Sequence, residues 1–276
     1  MSKIGFIGYG SMGSMLLNGF LESGRLTPEE IIVATRTSSK LEEVERKYPK
    51  LRIAGNNREV ARAAGPVFLC VKPVDYPLVL NEIQDEVSET THLVAITGPV
   101  KLAQITAMIP HAKVSKVIPS ITSVARGGVA LVCHHAQVGP EQAALLESLM
   151  AGISTVKVLP ENDFDLAIEF TSCGPGYLAA IFQEFLQAGL KFNHSLSEGD
   201  AAELVRQTML GTAKLLVENQ MSFADTISRV AVKGGITAMG VQVIQAGLPQ
   251  VFQELFRATL AKRELINQQV AAEFQK

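Results

Sequence analysis

The sequence of 276 residues lacks tryptophan and has few other aromatic residues, with 4 tyrosines and 12 phenylalanines. Because hydrophobic residues still make up 47% of the chain, aliphatic side chains must form most of the core. An excess of charge of one sign is also missing, since 25 basic and 27 acidic residues leave a formal net charge of −2. Proteins that bind nucleic acid or anionic membranes usually carry a basic surface. We therefore expect neither of these partners.

Cysteine is scarce as well. The chain has an odd number of cysteines, three, and they are widely separated in the sequence, at Cys70, Cys133 and Cys173. This usage is typical of reduced thiols rather than of disulfides, and no C-x-x-C or H-E-x-x-H motif indicates a metal site. The chain has no signal-peptide pattern and no apolar run of the roughly 18 residues that a membrane span requires. These absences predict a cytoplasmic protein without a bound metal.

The first half of the chain alternates between short β-rich runs and segments of helical period. The β-rich runs lie at 3–8, 30–35, 66–71, 92–97, 113–119, 128–133 and 155–159. Such alternation predicts right-handed βαβ units and a parallel sheet. We place this α/β domain at residues 1–159, because the sequence from Pro160 to Asp163 breaks the pattern and supplies a helix start.

The second half has no further β-rich runs. Helices are predicted at 163–172, 176–191, 197–219, 222–231, 237–246 and 249–272. The segment at 177–190 is apolar on more than one face, and a helical domain of this size cannot bury so much apolar surface by itself. The pattern therefore predicts an all-helical dimerisation domain at residues 160–276, assembled as a homodimer, with higher oligomers left open.

A G-x-G-x-x-G motif at residues 8–13 lies between the first predicted strand and the first predicted helix. In a Rossmann fold the first glycine allows a tight turn, the second admits the pyrophosphate, and the third lets helix and strand pack closely. The helix N-terminus then offers unpaired N–H groups to the anion. We predict that Gly8, Gly10 and Gly13 take these roles in a dinucleotide site. The alternative is a turn with a structural role alone.

The end of the second predicted strand indicates which dinucleotide binds. NAD sites usually place an acidic residue here to hold the ribose 2′-OH, but this chain has no acid before Glu42. Thr35 precedes a segment in which Arg36 and Lys40 flank hydroxyl groups, including that of Ser38. This set suits a 2′-phosphate. We predict NADP(H) rather than NAD(H), and the alternative is that Arg36 and Lys40 belong to a solvated loop.

The helical half lacks an obvious general acid or base, since its one histidine is His194 in a predicted loop. Hydride transfer to an imine that is already protonated needs positioning and little proton transfer. Ketone reduction normally needs an acid, and β-hydroxyacid dehydrogenases place a lysine four or five residues after a glycine-rich helix start. Leu178 and Ala179 stand at those positions after Gly174, which argues against that class.

The sequence resembles the pyrroline-5-carboxylate reductase family, which reduces a cyclic imine to proline with NAD(P)H, over essentially its whole length. Five short blocks in the family's order carry the resemblance. They are GFIGYGSMG at 5–13, FLCVKP at 68–73, VIPS at 117–120 with Gly127 and Gly128 after it, SCGPGY at 172–177, and KGGIT at 233–237. The last two blocks together are quite specific to the family.

The resemblance implies a Rossmann domain, a helical dimerisation domain and a small imine acid as substrate. Thr237 matches the family threonine that hydrogen-bonds the ring nitrogen and is the implied catalytic residue. Together with the residues argued above, the predicted cofactor contacts are Gly8, Tyr9, Gly10, Ser11, Met12, Gly13, Thr35, Arg36, Ser38, Lys40, Val71, Lys72, Pro73, Thr97 and Gly98. The predicted substrate contacts are Lys233, Gly234, Gly235, Thr237, Ser120 and Cys173. Backbone N–H groups of the helix that Gly234 and Gly235 open would receive the substrate carboxylate.

Several positions depart from the family pattern. Val232, Lys233 and Ile236 replace its serine, proline and first threonine, while Ser11 and Ser120 stand where asparagine is usual. Loss of one hydroxyl donor to a buried carboxylate costs about 1–3 kcal/mol, and Lys233 either replaces that contact or points to solvent. Three functions therefore stay open. They are NADPH-dependent reduction of 1-pyrroline-5-carboxylate, reduction of another small imine or carbonyl acid, and a regulatory role with NADP(H) as a sensed ligand, as in reductase-like paralogues encoded with bacterial late-competence genes.

Overall fold

The structure is a computed structural model that describes residues 3–192 and 195–276, except for the side chains of Ser38 and Ala64. The predicted loop position of His194 therefore lies outside the described residues. The chain forms two compact units. The first contains the described residues up to Pro175 together with Leu260–Lys276, and the second contains the described part of Gly176–Thr259.

The first unit is built on one sheet. Its strands are β1 (Lys3–Ile7), β2 (Ile31–Ala34), β3 (Arg52–Ile53), β4 (Ala64–Leu69), β5 (His92–Ala95), β6 (Lys113–Ile118), β7 (Val129–His134) and β8 (Thr155–Val158). The order across the sheet is β3-β2-β1-β4-β5-β6-β7-β8, and all neighbours run parallel except β6 and β7. The predicted Rossmann-type sheet is confirmed, and each predicted β-rich run overlaps a strand.

Two features of the sheet differ from the prediction. The β6–β7 pair is antiparallel, because a short 3₁₀ turn at Ile121–Ala125 joins the two strands where a parallel pair would need a crossover helix. Strand β3 was not predicted, since its two residues, Arg52 and Ile53, are too short a run to produce an alternating pattern.

Helices cover the sheet and connect most of its strands. Those that precede β8 are α1 (Ser11–Glu22), α2 (Glu42–Lys47), α3 (Asn57–Ala63), α4 (Tyr76–Ile83), α5 (Leu102–Met108) and α6 (Pro140–Ala151). Neighbouring strand residues point to opposite faces, so that Val67 and Leu69 pack in one hydrophobic cluster and Phe68 in the other. The rings of Phe6 and Phe20 contact Phe68 with centroid separations of 5.1 and 5.6 Å. The few aromatic residues thus support one face of the sheet.

The predicted boundary between residues 159 and 160 does not coincide with the edge of the first unit. Phe164, Ile168 and Val270 are buried in the same hydrophobic cluster as the sheet residues, so the segments that carry them pack with the first unit. Between α7 (Phe164–Ile168) and α8 (Gly174–Leu190), residues Glu169–Cys173 form a π-helical turn. The functional division at 159/160 stays a prediction.

The second unit is helical, as predicted for this half of the chain. It contains most of α8, then α9 (Glu198–Val217), α10 (Phe223–Val230) and the first part of α11 (Ile236–Glu273). The prediction of separate helices at 237–246 and 249–272 was wrong. Helix α11 continues through Pro249, which removes one backbone donor without ending the helix.

A hydrogen-bonded chain of polar side chains crosses one end of the sheet. His92 Nε2 lies 2.7 Å from Ser115 Oγ, and the same oxygen lies 2.7 Å from His134 Nδ1. His134 Nε2 in turn lies 3.2 Å from Glu147 Oε1. Burial lowers the pKa of His92 to about 4, and the nearby charges of His134 and Lys113 act in the same direction. His92 is therefore neutral in the folded protein.

This pKa gives the stability a defined pH dependence. Below pH 6.5 the unfolded chain binds a proton at His92 that the folded chain does not bind until the pH reaches about 4. As the pH falls from 6.5 to about 4, we expect His92 to lower the free energy of unfolding by about 3 kcal/mol, at about 1.36 kcal/mol per pKa unit. Urea unfolding at several pH values measures it, and His92→Gln should flatten the slope. An identical slope in the variant would contradict the assignment.

Candidate functional site

The glycine motif forms a turn between β1 and α1 in which two of its glycines are required by close packing. Gly8 has φ +99°, and a Cβ built there would lie 2.4 Å from the carbonyl oxygen of Cys70. A Cβ on Gly13 would lie 2.4 Å from the carbonyl oxygen of Gly8. Gly10 differs, because no heavy atom lies within 4 Å of its built Cβ. The protein itself therefore leaves the space beside Gly10 open.

The N-terminus of α1 faces this open space without neutralising groups of its own. Gly10 is the N-cap residue, no side chain caps the helix, and its first turn contains no acidic residue. Ser11 and Met12, at the start of that turn, are exposed. A helix start with free N–H groups and the positive end of the dipole can receive an anion such as a pyrophosphate.

A groove of about 260 Å³ runs from the glycine turn to the ends of β2 and β4. The predicted cofactor residues that line it are Gly8, Tyr9, Gly10, Thr35, Arg36, Lys40, Val71 and Lys72. Pro73 follows Lys72 as the first residue of a 3₁₀ turn, and Ser38 begins another such turn, although its side chain lies outside the described part. The groove thus brings together residues that are up to about 60 positions apart in sequence, at the carboxyl edge of the sheet where Rossmann folds bind dinucleotides.

The guanidinium group of Arg36 is 81% exposed and lies 3.3 Å from Asp75 Oδ2. Asp75 also lines the groove, as do Asn57 and Glu82, and none of these three was predicted. Asp75 stands two residues after Pro73, the last residue of the FLCVKP block, and this proximity was the available signal. The contact sets one orientation of Arg36 at the mouth of the groove.

A second cavity of about 520 Å³ adjoins the groove between α1 and α2. Tyr9, Gly10 and Lys40 line both spaces, while Ser14 and Lys47 line the cavity and were not predicted. Burial raises the pKa of Tyr9, although a hydrogen bond with the side chain of Asn18 opposes the shift. Hydroxyl groups and two lysines, together with the carboxylate of Glu43, thus surround a space large enough for a phosphate group.

The segment after β5 contains the predicted residues Thr97 and Gly98. Thr97 is buried, and the carbonyl oxygen of Gly98 accepts a hydrogen bond of 3.2 Å from Lys116 Nζ. Lys116 is fully buried and forms an ion pair of 2.6 Å with Glu161. Burial lowers the pKa of the Lys116 ammonium group, and the hydrogen bond with Glu161 works against that shift. Lys116 was not predicted as part of any site.

Two predicted substrate residues, Ser120 and Cys173, use their side chains within the first unit. Ser120 is buried, and its hydroxyl donates to the carbonyl oxygen of Thr171 at 3.0 Å. The guanidinium group of Arg263 lies 3.9 Å from Cys173 Sγ and forms an ion pair with the buried carboxylate of Glu169. The hydroxyl of Ser120 is thus already engaged, and the substrate contacts of both residues stay predictions.

The predicted substrate block lies in the second unit, at the start of α11. Gly234 has φ +78°, and the N–H of Gly235 donates to the carbonyl oxygen of Val232 at 2.9 Å, which closes a turn. Thr237 is exposed in the first helical turn, which contains no acidic residue, and Lys233 is exposed before it. The turn therefore presents a hydroxyl, an ammonium group and a helix N-terminus on the surface of the second unit.

Among residues 3–192 and 195–276, no group of histidine, cysteine or acidic side chains is arranged to hold a metal ion. Within the same residues, no helix combines the length and the apolar character that crossing a membrane requires. Cys70, Cys133 and Cys173 are free thiols.

Two family models match the chain. Residues 161–265 match the model described as pyrroline-5-carboxylate reductase dimerisation, and residues 3–99 match the model described as NADP oxidoreductase, coenzyme F420-dependent. In fold, the chain is similar to a pyrroline-5-carboxylate reductase from Coxiella burnetii, with a TM-score of 0.87, 24% identity and coverage of 96% of this chain and 98% of that one. It is also similar to the Plasmodium falciparum pyrroline carboxylate reductase solved with NADP bound, with a TM-score of 0.80, 22% identity and coverage of 99% and 98%.

Curated relatives match over nearly the whole chain. Pyrroline-5-carboxylate reductase 3 of Bacillus subtilis is 36% identical over 98% of each chain. ComE operon protein 4 of the same organism is 31% identical over 95% of each. The chain belongs to the pyrroline-5-carboxylate reductase family of oxidoreductases.

Proposed function

We propose that this protein reduces 1-pyrroline-5-carboxylate to proline with NADPH. The observation that carries the proposal is the Gly234–Thr237 segment, which places Thr237 in the first turn of α11, a turn that contains no acidic residue. The 36% identity to a relative named pyrroline-5-carboxylate reductase 3 supports the same assignment. NADPH supplies the hydride when bound, and the residues of the chain bind and orient both molecules.

The cofactor half of the proposal rests on the groove beside Gly10. The N-terminus of α1 would receive the pyrophosphate, and Arg36 with Lys40 would hold the 2′-phosphate of the adenosine. Thr97 and Gly98, after β5, would contact the nicotinamide half. Because parallel strands end at a shared edge, a dinucleotide extending from β2 towards β5 contacts each of these groups in turn.

The substrate half rests on the start of α11. Backbone N–H groups in the first helical turn and the Lys233 ammonium group would hold the substrate carboxylate, and the Thr237 hydroxyl would hydrogen-bond the ring nitrogen. The imine carbon then needs no general base from the protein, since the hydride arrives at an iminium already protonated. The sequence difference at Val232 removes one family donor, and Lys233 supplies a charged one next to it.

One assay tests the reaction directly. Purified protein with NADPH and 1-pyrroline-5-carboxylate should consume the cofactor, as followed by the loss of reduced-nicotinamide absorbance, and should release proline. A parallel titration of NADPH fluorescence measures cofactor binding. NADPH binding without turnover would contradict the proposed reaction while leaving the cofactor site in place.

Cofactor preference gives a separate prediction. Arg36→Ala should weaken NADPH binding roughly tenfold and leave NADH binding unchanged, because a charge-assisted hydrogen bond to an exposed phosphate contributes about 1.5 kcal/mol. Arg46→Ala is the matched control, since Arg46 donates to the carbonyl oxygen of Glu42 in its own helix. Equal weakening of NADPH and NADH by Arg36→Ala would exclude a contact with the 2′-phosphate.

We further propose that the protein is a homodimer formed through the second unit. Ala201 is the only buried hydrophobic residue among the described residues of this unit, which leaves an extensive apolar surface. The exposed large side chains include Phe185, Phe192, Leu204, Phe223, Val230, Ile236, Met239 and Val243. Sedimentation at micromolar concentration should show twice the chain mass. The cytoplasmic location stays a prediction.

A regulatory role with NADP(H) as a sensed ligand is the second candidate. The observation that favours it is Val232, since a valine cannot donate the hydrogen bond expected of the family's serine. The chain is also 31% identical to ComE operon protein 4, a relative whose name does not describe a reductase. NADPH binding together with the absence of turnover on 1-pyrroline-5-carboxylate would favour this role or the reduction of a different small imine acid.

A further inference from the structure

Lys116 on β6 is a fully buried charged residue that the proposed reaction leaves unexplained. Its Nζ atom donates to the carbonyl oxygen of Gly98 at 3.2 Å and pairs with Glu161 Oε1 at 2.6 Å. Moving an ammonium group from water into a protein interior costs several kcal/mol, and a buried ion pair often stabilises no better than apolar residues of similar volume. The burial of this pair is therefore weak evidence of a stabilising role.

The ion pair joins both ends of one short segment. Glu161 Oε1 also accepts a hydrogen bond of 3.0 Å from the N–H of Leu102, the first residue of α5. Lys116 thus holds the carbonyl group of Gly98, while its partner holds the amide group of Leu102. The segment between β5 and α5 is fixed at its start and at its end by one pair of charges.

A second buried ion pair contacts the same segment. Arg263 on α11 pairs with Glu169, which is 1% exposed, and Arg263 Nη1 lies 3.6 Å from a Cβ built on Gly98. Ile168 Cδ1 lies 3.1 Å from the same position. Gly98 is therefore hydrogen-bonded to Lys116 through its carbonyl oxygen. Ile168 and Arg263 leave little space for a side chain at this position.

We propose that Lys116 and Glu161 are positioning residues that set the backbone after β5 for the nicotinamide half of the bound cofactor. The inference rests on the proposed function, because contact between Gly98 and the cofactor is part of it. The adenosine half would lie at the end of β2, where Arg36 and Lys40 line the groove. A change at Lys116 should therefore act on one half of the cofactor and leave the other half unaffected.

Binding of two ligands can be compared to tell an effect on the nicotinamide half of the cofactor from an effect on the adenosine half. NADPH contains the nicotinamide riboside, and 2′-phospho-ADP-ribose lacks the nicotinamide ring. In Lys116→Met/Glu161→Met, which removes both charges together, we expect NADPH to bind at least fivefold more weakly and 2′-phospho-ADP-ribose to bind within twofold of the unmodified protein. Glu161→Gln keeps an oxygen that can accept the hydrogen bond from the N–H of Leu102. This variant should also weaken the binding of NADPH more than that of 2′-phospho-ADP-ribose, but by a smaller factor. Lys157→Met is the matched control, since Lys157 is an exposed lysine on β8.

The outcomes distinguish the inference from the proposed function. If both ligands weaken equally, or if neither weakens, Lys116 and Glu161 do not position the nicotinamide half and the inference is overturned. If the double variant fails to fold, Glu161→Gln decides by the same comparison. If the unmodified protein binds neither ligand, the proposed function fails, and the inference fails with it. If it binds both with equal affinity, only the inference fails.

Discussion

Replacing Gly10 with valine is expected to weaken NADPH binding at least a hundredfold and to lower the melting temperature by at most a few degrees, since valine is a poorer helix N-cap than glycine. The backbone at Gly10 has φ −87° and ψ −167°, an extended conformation that valine adopts readily, and no protein atom lies within 4 Å of a Cβ built there. A side chain at this position therefore meets only what binds in front of α1. If the pyrophosphate approaches there, the added methyl groups exclude it.

Measurements on two variants make this prediction specific. NADPH fluorescence gives the dissociation constant, and thermal unfolding without cofactor gives the melting temperature. Gly8→Ala is the contrasting variant, because its Cβ would overlap the carbonyl oxygen of Cys70 and should lower both cofactor affinity and stability. Gly24→Ala is the control for a positive φ alone, since φ is +69° and its Cβ has no neighbour within 4 Å. Unchanged NADPH binding in Gly10→Val would show that the pyrophosphate does not bind at the N-terminus of α1.

Replacing Thr237 with valine is expected to reduce kcat about 10- to 100-fold with little effect on NADPH affinity. Valine has nearly the shape of threonine but lacks the hydroxyl, and a hydrogen bond to a charged group contributes about 1.5–3 kcal/mol. Thr237 is exposed on the second unit, so the substitution leaves no cavity or unpaired buried group. The loss should therefore appear in the chemical step.

Steady-state kinetics with 1-pyrroline-5-carboxylate provide the measurement. Thr237→Ser should restore most of the activity, because serine retains the hydroxyl. Thr212→Val is the control, since the Thr212 hydroxyl donates to the carbonyl oxygen of Thr208 within α9. A kcat equal to that of the unmodified protein would show that Thr237 does not contact the reacting ring.

The fold was predictable where it depends on the pattern of residues that are neighbours in the sequence. Alternating apolar strands with intervening helical periods, and a glycine motif at their first junction, predicted the sheet and the close packing at Gly13 of α1. A short turn was predicted between residues 246 and 249, where Gly247 lies, yet α11 continues through Pro249 although this residue lacks the backbone N–H. Local residue preferences therefore did not decide where this helix ends.

The site was predictable only in part, because several of its residues matter through partners distant in sequence. Arg36 could be proposed from its charge, but its contact with Asp75 spans 39 positions. Lys116 reads as an ordinary polar residue in a strand, and only the tertiary structure shows that it pairs with Glu161. The sequence shows that a residue is charged and with which sign, whereas the burial of that residue and its partner depend on the fold.

The π-helical turn at Glu169–Cys173 makes this part of the chain sensitive to length as well as to residue type. A π turn accommodates one residue more than an α-helical turn, and a deletion of one residue would restore the ordinary hydrogen-bond ladder. Each residue of an α-helix advances by about 100°, at 3.6 residues per turn. Such a deletion would rotate Cys173 away from Arg263, although every remaining side chain would be chemically unchanged. Insertions and deletions here should therefore be tolerated less well than substitutions.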